Sequence, residues 1–386
     1  MHHHLLRKIF SEAFSTNAEQ AQIFFAPGRV CLIGEHIDYN GGLVLPAAIS
    51  LGIYGVFRQS ASNILKMRSS LDNHEVALNL DDEILFSEKN GWGNYPAGVI
   101  SYLKQCGFQI PGGELLFVSN LPVGAGLSSS AAIEVLTGFI FSSVNNGSSL
   151  EKIELAKLCK DVENNFIGVQ CGIMDQFAVA MGKKNHAMLL DCTTLQFEQI
   201  PIELGDNVII IFNTNKKREL TDSFFNVRVS ECDDALRSIQ KHCSLKHLAD
   251  ADEKEVNDFV QNPAAKKRAL HVAQENKRVK EAAAALKEGD INKFGLLLFQ
   301  SHASLKHQYE VTGRELDAIE EGARKHPACI GAKMSGAGFG GCAFAIVKKD
   351  AVDDFVRCVL EAYTSSTGLK ADYYLAEMDD GVRRIA

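Results

Sequence analysis

The ten cysteines of this 386-residue chain include no Cys-x-x-Cys pair. A zinc ribbon and a thioredoxin-type redox pair both need that spacing, so neither is indicated. Cys31, Cys342 and Cys358 lie in apolar stretches, which fits reduced thiols packed in a cytosolic core. No apolar run reaches the roughly 18 residues that span a bilayer, and the first residues carry no secretory apolar stretch. The expectation is a cytoplasmic protein without a membrane partner. His2, His3 and His4 read as a tag remnant or a frayed terminus, not as a metal site. Positive charge is in short supply too: 40 Lys and Arg against 48 Asp and Glu leave a net charge of -8. A sequence-independent grip on nucleic acid needs a basic surface, so small ligands fit better than polyanions. There is no internal repeat and no extended linker, and the length suits two or three domains.

Also missing is the Walker pattern Gly-x-x-x-x-Gly-Lys-Ser/Thr. In its place stands Leu121-Pro122-Val123-Gly124-Ala125-Gly126-Leu127-Ser128-Ser129-Ser130-Ala131-Ala132, between an expected strand at 114–118 and an expected apolar helix at 131–144. Glycines let the backbone turn with positive φ and approach a ligand closely, and the first turn of a helix offers N–H groups without intrahelical partners. The helix dipole adds partial positive charge, so a nucleotide phosphate suits the stretch from Gly124 through Ala125, Gly126, Leu127, Ser128 and Ser129 to Ser130. A serine-capped glycine turn is the plainer alternative. Trp92, the only tryptophan, is in the same way either a core residue or a contact for an adenine ring.

Strands are expected at 23–26 and 29–33. After them Glu35, His36, Asp38, Tyr39 and Asn40 crowd into six residues between glycines, a density of polar groups that a core strand would not tolerate unpaired. Carboxylates and amides in such a cluster can each engage two hydroxyls, as a sugar ring requires, although Tyr39 to Gly42 alone also suits an Asn-Gly turn. Further strands at 43–49 and 53–58 lead to a polar region up to Gly91 and a helix to Leu103. Ser148-x-x-Glu151 reads as a capping box for a helix in which Ile153, Ala156, Cys159 and Val162 recur, and spacing alone makes Glu163 a surface residue at its end. Gly172 precedes an apolar helix to Met181. Asp175 falls in its first turn, where the dipole favours negative charge, as a cap or as a site residue.

The second half opens with a strand at 207–212 and a helical region at 217–308, interrupted near Pro263 and Gly289. Thr312-x-x-Glu315 then caps another helix. Strands at 330–334 and 342–347 flank a glycine-rich loop at 335–341, and a helix at 350–363 and a strand at 372–377 follow. The order β, α, β, β, α, β is that of a ferredoxin-like split βαβ domain. The boundary between halves falls at 192–206. The loop at 335–341 is too rich in glycine for an ordinary hairpin, which points to close approach to a ligand or to the other domain.

Five separated segments resemble one family. Pro27-Gly28-Arg29-Val30-x-Leu32-Ile33-Gly34-Glu35-His36-x-Asp38-Tyr39-Asn40-Gly41-Gly42 looks like the galactokinase signature. The segment 121–132 resembles the phosphate loop of the wider family of galacto-, homoserine, mevalonate and phosphomevalonate kinases. Lys333-Met334-Ser335-Gly336-Ala337-Gly338-Phe339-Gly340-Gly341-Cys342 resembles its third motif. Cys171-Gly172-Ile173-Met174-Asp175-Gln176-Phe177 and Ser301-His302-x-Ser304-Leu305 with Tyr309-Glu310-Val311-Thr312-Gly313 are also galactokinase-like.

The resemblance implies an α+β, two-domain small-molecule kinase fold. Residues 1–200 would form a mixed α/β sugar- and phosphate-binding domain and 201–386 a ferredoxin-like domain with a helical insertion, the active site lying at their interface. By similarity Asp175 would be the catalytic carboxylate with Arg29 beside it. Glu35, His36, Asp38, Gly172 and Phe225 would contact the sugar, and Ser130 and Glu163 would hold Mg²⁺. The implied reaction uses ATP to phosphorylate the anomeric hydroxyl of galactose, with those two small molecules as partners, no nucleic acid and no protein partner. Alternatives are a kinase for a related sugar such as N-acetylgalactosamine, or a non-catalytic sensor of galactose and ATP. Four departures put the choice of sugar in question: Phe225 where a sugar-contacting tyrosine is usual, Ile37 for threonine, His307-Gln308 where acidic residues are common, and Asp379 for glycine.

Overall fold

The computed structural model describes residues 1–122, 126–144, 150–216 and 221–386. Helix α1 (His3–Phe14) is followed by β1 (Gln22–Ile33), β2 (Leu43–Gln59), β3 (Ile64–Ser69) and β4 (Asp72–Asn79). Next come α2 (Asn94–Gln105), β5 (Gly113–Ser119), α3 (Ser129–Ser143), α4 (Lys152–Val162), α5 (Met174–Met181), β6 (His186–Asp191) and β7 (Phe197–Pro201). The later part runs β8 (Asn207–Asn213), α6 (Thr221–Gln240), α7 (Glu253–Phe259), α8 (Pro263–Lys287), α9 (Ile291–Ser304), α10 (Gly313–Lys325), β9 (Cys329–Ser335), β10 (Cys342–Lys348), α11 (Val352–Thr367), β11 (Asp372–Ala376) and β12 (Arg383–Arg384).

Two sheets organise these elements. The first has the order β12-β1-β2-β5-β3-β4, with β6 on the start of β2 and β7 on β6. Side-chain alternation assigns its two faces. Ile23, Phe25, Tyr54, Val56, Leu116 and Val118 pack with Leu6 and Phe10 of α1, while Phe24, Phe57, Leu115 and Phe117 enter the main core. The second sheet has the order β11-β8-β10-β9, every neighbour antiparallel. Numbered by chain order this is 4-1-3-2, the ferredoxin-like arrangement expected from the element order.

Several local expectations change. The strands expected at 43–49 and 53–58 are one strand, β2, with a bulge: Pro27 pairs with Gly52 but Gly28 with Ile49. Bulges re-aim side chains, and this one sits beside Arg29. A Cβ at Gly28 would lie 2.8 Å from the Leu127 carbonyl, so the close approach of β1 to the segment before α3 requires glycine. The polar region before Gly91 holds β3 and β4, whose buried Leu65, Met67, Val76 and Leu78 alternate with exposed or half-buried residues. The long helical region is also broken between Gln240 and Glu253, where a short turn at Leu248–Asp250 intervenes. No capping box forms at Thr312: its side chain makes no cap hydrogen bond, and Glu315 accepts from Lys216 instead. Helix α4 opens at Lys152 with Glu151 as N-cap, and Ser148 lies outside the described residues. His3 and His4 form the first turn of α1.

All ten cysteines are free thiols; Cys31 and Cys342 are buried, Cys358 only partly. No described helix is long and apolar enough to cross a membrane.

Candidate active site

One cleft gathers residues from six separated stretches: Arg29 from β1, the Glu35-to-Tyr39 loop, the entrance of α3, Glu163 with the Cys171–Gly172 turn, Asp175 of α5, and Phe225 of α6 beside the β9–β10 loop. Arg29, only 4% exposed, forks onto Asp175. Its Nε donates to Oδ1 at 2.7 Å and its Nη2 to Oδ2 at 2.8 Å, while Nη1 donates to the Gly126 carbonyl at 2.9 Å. Burial alone would lower the Arg29 pKa, but the Asp175 carboxylate outweighs it and raises it. Ser128 Oγ donates to Asp175 Oδ2 at 2.5 Å. A carboxylate has about four lone-pair sites. Arg29 and Ser128 take three, so one acceptor site remains, on Oδ1.

The serine run expected to meet a phosphate lies at the start of α3. That helix opens at Ser129 with no side-chain cap, so first-turn N–H groups stay available to a ligand. Ser128 is committed to Asp175, and the Gly126 and Leu127 carbonyls accept from Arg29. The backbone amides, Ser129 and Ser130 are what an anion would meet. Gly124 and Ala125 lie outside the described residues.

Glu163 corrects the surface position that spacing favours. It is 8% exposed and lines the cleft at the point where α4 widens into a π turn. Burial first, and the charge of Asp175 second, push its pKa up to about 7, while hydrogen bonds from Ser130, Cys171 and Gln176 oppose the rise. Asp38 is raised to about 6 by burial and again by Asp175. Four carboxyl groups, those of Glu35, Asp38, Glu163 and Asp175, thus line a cleft in which, among the described residues, Arg29 is the one Lys or Arg of the lining.

Glu35 and His36 are less free than the sequence suggests. Glu35 Oε2 accepts from Lys333 Nζ in a pair 1% and 0% exposed. Its Oε1 is buried beside the Cys31 thiol; burial forces the Glu35 pKa up, and Lys333 and that thiol oppose the rise. His36 Nε2 faces the Ala337 carbonyl at 3.1 Å and must donate to it, so Nδ1 accepts from Tyr39 Oη at 2.9 Å. Both ring nitrogens are therefore engaged. The expected hydrogen bond from His36 to a sugar hydroxyl has no free nitrogen to make it, and the ring contributes a wall instead. Burial first pushes its pKa down to about 3, in keeping with a neutral ring. His36 and Ser128 both hold φ near +60°, a conformation that costs a non-glycine residue about 1–2 kcal/mol and that gathers at functional sites.

Gly172 contributes by what it lacks, since a Cβ there would lie 1.9 Å from Asp38 Oδ2. Phe225 lines the cleft, its ring centroid 5.7 Å from that of His36. Ile37 is fully buried against Gly42 and His307 is exposed outside the cleft, so of the departures weighed above Phe225 is the one that lines the cleft. Asp379 pairs with Arg383 away from the site. Trp92 lines an apolar cavity that includes Tyr95, Leu121 and Ile133 and reaches Ser129 and Ser130; its Nε1 is buried without a partner. The glycine-rich loop makes its close approach as expected: a Cβ at Gly336 would lie 2.7 Å from the Gly126 carbonyl.

The galactose-binding signature of galactokinases matches residues 8–59. The N-terminal domain of the GHMP kinases matches 94–183 and their C-terminal domain 282–365. A galactokinase of Clostridium tetani is 45% identical over 381 residues, covering 98% of this chain and 95% of that protein. The chain belongs to the galactokinase family. Another galactokinase, from Bacillus subtilis, is 44% identical with 98% of both chains covered. The crystal structure of Lactococcus lactis galactokinase complexed with galactose superposes with a TM-score of 0.94 at 40% identity over 99% of each chain. Methanococcus jannaschii mevalonate kinase shares the fold, with a TM-score of 0.69 at 20% identity over 94% of this chain and 99% of that one. As a galactokinase-family protein it has the two-domain α+β kinase fold, and the family implies use of ATP.

Residues that sequence reasoning passed over surround the cleft. Lys333 was legible as a lone charge inside an apolar strand. Glu134 and Gln176 were not singled out either, yet both are fully buried beside Glu163. Among the described residues a separate group, His326, Asp354 and Cys358, has donor atoms within 4.8 Å of one another. The Ala328 N–H donates to His326 Nδ1, so Nε2 carries the proton and donates to Asp354. That tautomer makes the group a hydrogen-bonded cap rather than a ligand set.

Proposed function

We propose that this protein transfers the γ-phosphoryl group of ATP to the anomeric hydroxyl of α-D-galactose, giving galactose 1-phosphate and ADP. The observation that carries this is the acceptor site left on Asp175 Oδ1 by the Arg29 fork and the Ser128 bond, facing a cleft walled by Glu35, Asp38 and Gly172. The galactose complex of the Lactococcus lactis relative supports the choice of sugar. Asp175 accepts the hydrogen bond of the anomeric hydroxyl and orients its oxygen, and Arg29 supplies positive charge beside the transferring group. Phosphoryl transfer passes through a loose transition state, so positioning and charge neutralisation suffice for most of the rate. An anomeric hydroxyl is also more acidic than an ordinary alcohol, so its proton can pass late along the hydrogen bond to Asp175 and on to solvent. The free amides opening α3, with Ser129 and Ser130, hold the phosphates. Trp92 borders the adenine.

Ser130 and Glu163 fit a divalent cation. They offer hard oxygen donors in a cleft whose carboxyl groups outnumber its cations. Bound there with ATP, Mg²⁺ would neutralise phosphate charge. The division at residues 200 and 201 is supported by the sheets: β1 to β7 precede it, apart from Pro201 at the end of β7, and β8 to β11 follow it, with β12 returning to the first sheet. Ten free thiols suit the cytoplasm.

Release of ADP from MgATP, measured against galactose, 2-deoxygalactose, N-acetylgalactosamine, glucose and homoserine, tests the proposal. Turnover should be greatest on galactose. A protein that binds galactose but phosphorylates none of these would be a sensor. Phe225 offers a packing surface without a tyrosine hydroxyl, and loss of that hydrogen bond would weaken sugar binding by about 0.5–1.5 kcal/mol relative to tyrosine.

Asp38 makes galactose affinity depend on pH. Its pKa of about 6 lies above the ordinary carboxylate range, so in the free protein the proton is on below pH 6. A carboxylate that accepts from sugar hydroxyls needs the proton off. Affinity should therefore fall as pH drops through 6, and Kd by calorimetry should be about tenfold weaker at pH 5 than at pH 7.5. Asp38→Asn should flatten the dependence; a steep dependence surviving in that variant would assign it to another group.

A further inference from the structure

The loop that presents Glu35 is held from behind by the second half of the chain. Three contacts do this, and each reaches a different atom of two consecutive residues. Glu275 Oε1, on α8, accepts the Gly34 N–H at 3.0 Å. His271, one turn earlier on the same helix, sets Nε2 3.1 Å from the Glu35 carbonyl, and Lys333 of β9 binds the Glu35 carboxyl. Gly34 has φ +104° and a Cβ there would crowd the Leu43 carbonyl and Val44 at 3.0 Å, so the turn itself has little freedom.

The three residues are fully buried and are themselves fixed. Glu275 accepts from Arg278 Nε at 2.7 Å and from Ser301 Oγ at 2.5 Å. His271 Nδ1 lies 2.8 Å from Ser304 Oγ, and Lys333 Nζ also donates to the Met334 carbonyl at 2.8 Å. Since a carbonyl cannot donate, His271 must carry its proton on Nε2. Burial pushes its pKa down to about 4, so the ring is neutral and that tautomer persists. None of the three lines the cleft. A fold could bury apolar residues at these places more cheaply, since polar groups in a core stabilise only when every one is paired. Their arrangement instead fixes the peptide and carboxyl of one cleft residue.

We propose that His271, Glu275 and Lys333 are positioning residues for the sugar: they lock Gly34 and Glu35, and through them fix where the following residues His36 and Asp38 enter the cleft. This rests on the galactokinase activity proposed above. The nucleotide is held by other elements, so the effect should be confined to the sugar.

The test compares His271→Phe, which removes the donor, with His271→Gln, whose amide N–H can replace Nε2. Steady-state kinetics should show KM for galactose raised about tenfold in His271→Phe, with KM for ATP within about twofold, and a return to within about threefold in His271→Gln. Glu275→Gln, which keeps volume and an acceptor for Gly34, serves if the phenylalanine variant does not fold, and should raise KM for galactose alone by about threefold. Unchanged KM for galactose in a folded variant overturns the positioning role, as does an equal rise in both KM values. Absence of galactose turnover in the unaltered protein would instead overturn the functional proposal, and this inference with it.

Discussion

Replacing Asp175 by asparagine is expected to lower kcat by about 10²- to 10⁴-fold. The reason lies in the local bonding. Asparagine keeps the shape but turns one carboxylate oxygen into an NH₂ group, which cannot accept from Arg29 or Ser128 and cannot restore the full acceptor set. Arg29, 4% exposed, would lose one limb of its fork and sit beside the cleft with its charge less well fixed. A hydroxyl arriving at Oδ1 would then meet a group that no longer holds a single orientation. The change should fall mainly on kcat, because Glu35, Asp38 and Gly172 still line the cleft, and KM for galactose should move by no more than about threefold. Single-turnover phosphoryl transfer with radiolabelled ATP would check this without interference from product release. Near-normal turnover in the variant would remove Asp175 from the chemistry.

Lys333→Met should destabilise the fold by about 3–5 kcal/mol, because it leaves the Glu35 carboxyl buried without its cation. The pair is 1% and 0% exposed, so solvent cannot screen the loss. Burial already pushes the Glu35 pKa up, with Lys333 opposing that rise; without the lysine the carboxyl would have to take up a proton or drag in water. The double variant Glu35→Gln/Lys333→Met removes both charges and should recover most of the stability while remaining defective in sugar binding. Urea unfolding of the three proteins supplies the comparison. Equal stability of Lys333→Met and the unaltered protein would show that the pair contributes nothing to the fold.

Both experiments address one design. The first sheet and the helices on it carry Arg29, Glu163 and Asp175, and the second half of the chain holds the 34–36 loop through Lys333, the α8 pair and the Ala337 carbonyl. His36 illustrates the division. Its ring belongs to the signature loop, but its tautomer is decided by a carbonyl from the β9–β10 turn and a hydroxyl from Tyr39.

What the residues alone determined was the local grammar. Strand, glycine loop and helix were legible around the serine run because backbone propensity, helix-end N–H groups and apolar spacing are short-range effects. The 4-1-3-2 sheet followed from element order, because handedness and short connections leave few ways to arrange it. The cluster from Glu35 to Asn40 was conspicuous because such polar density has no place in a core strand. Pairing was not legible, since it depends on residues far apart in the chain. Nothing in the spacing of α4 shows that Glu163 is buried; the turn at its end and the packing of α5 decide that. Nor could the sequence show that Ser128 bonds Asp175 rather than a phosphate, that both nitrogens of His36 are taken, or that Ile37 points into the core while Phe225 lines the cleft. Those outcomes are set by side-chain direction across elements up to about 300 residues apart, as in the pairing of Glu35 with Lys333. Only the packed tertiary structure, in which each buried polar group must find its partner, fixes them.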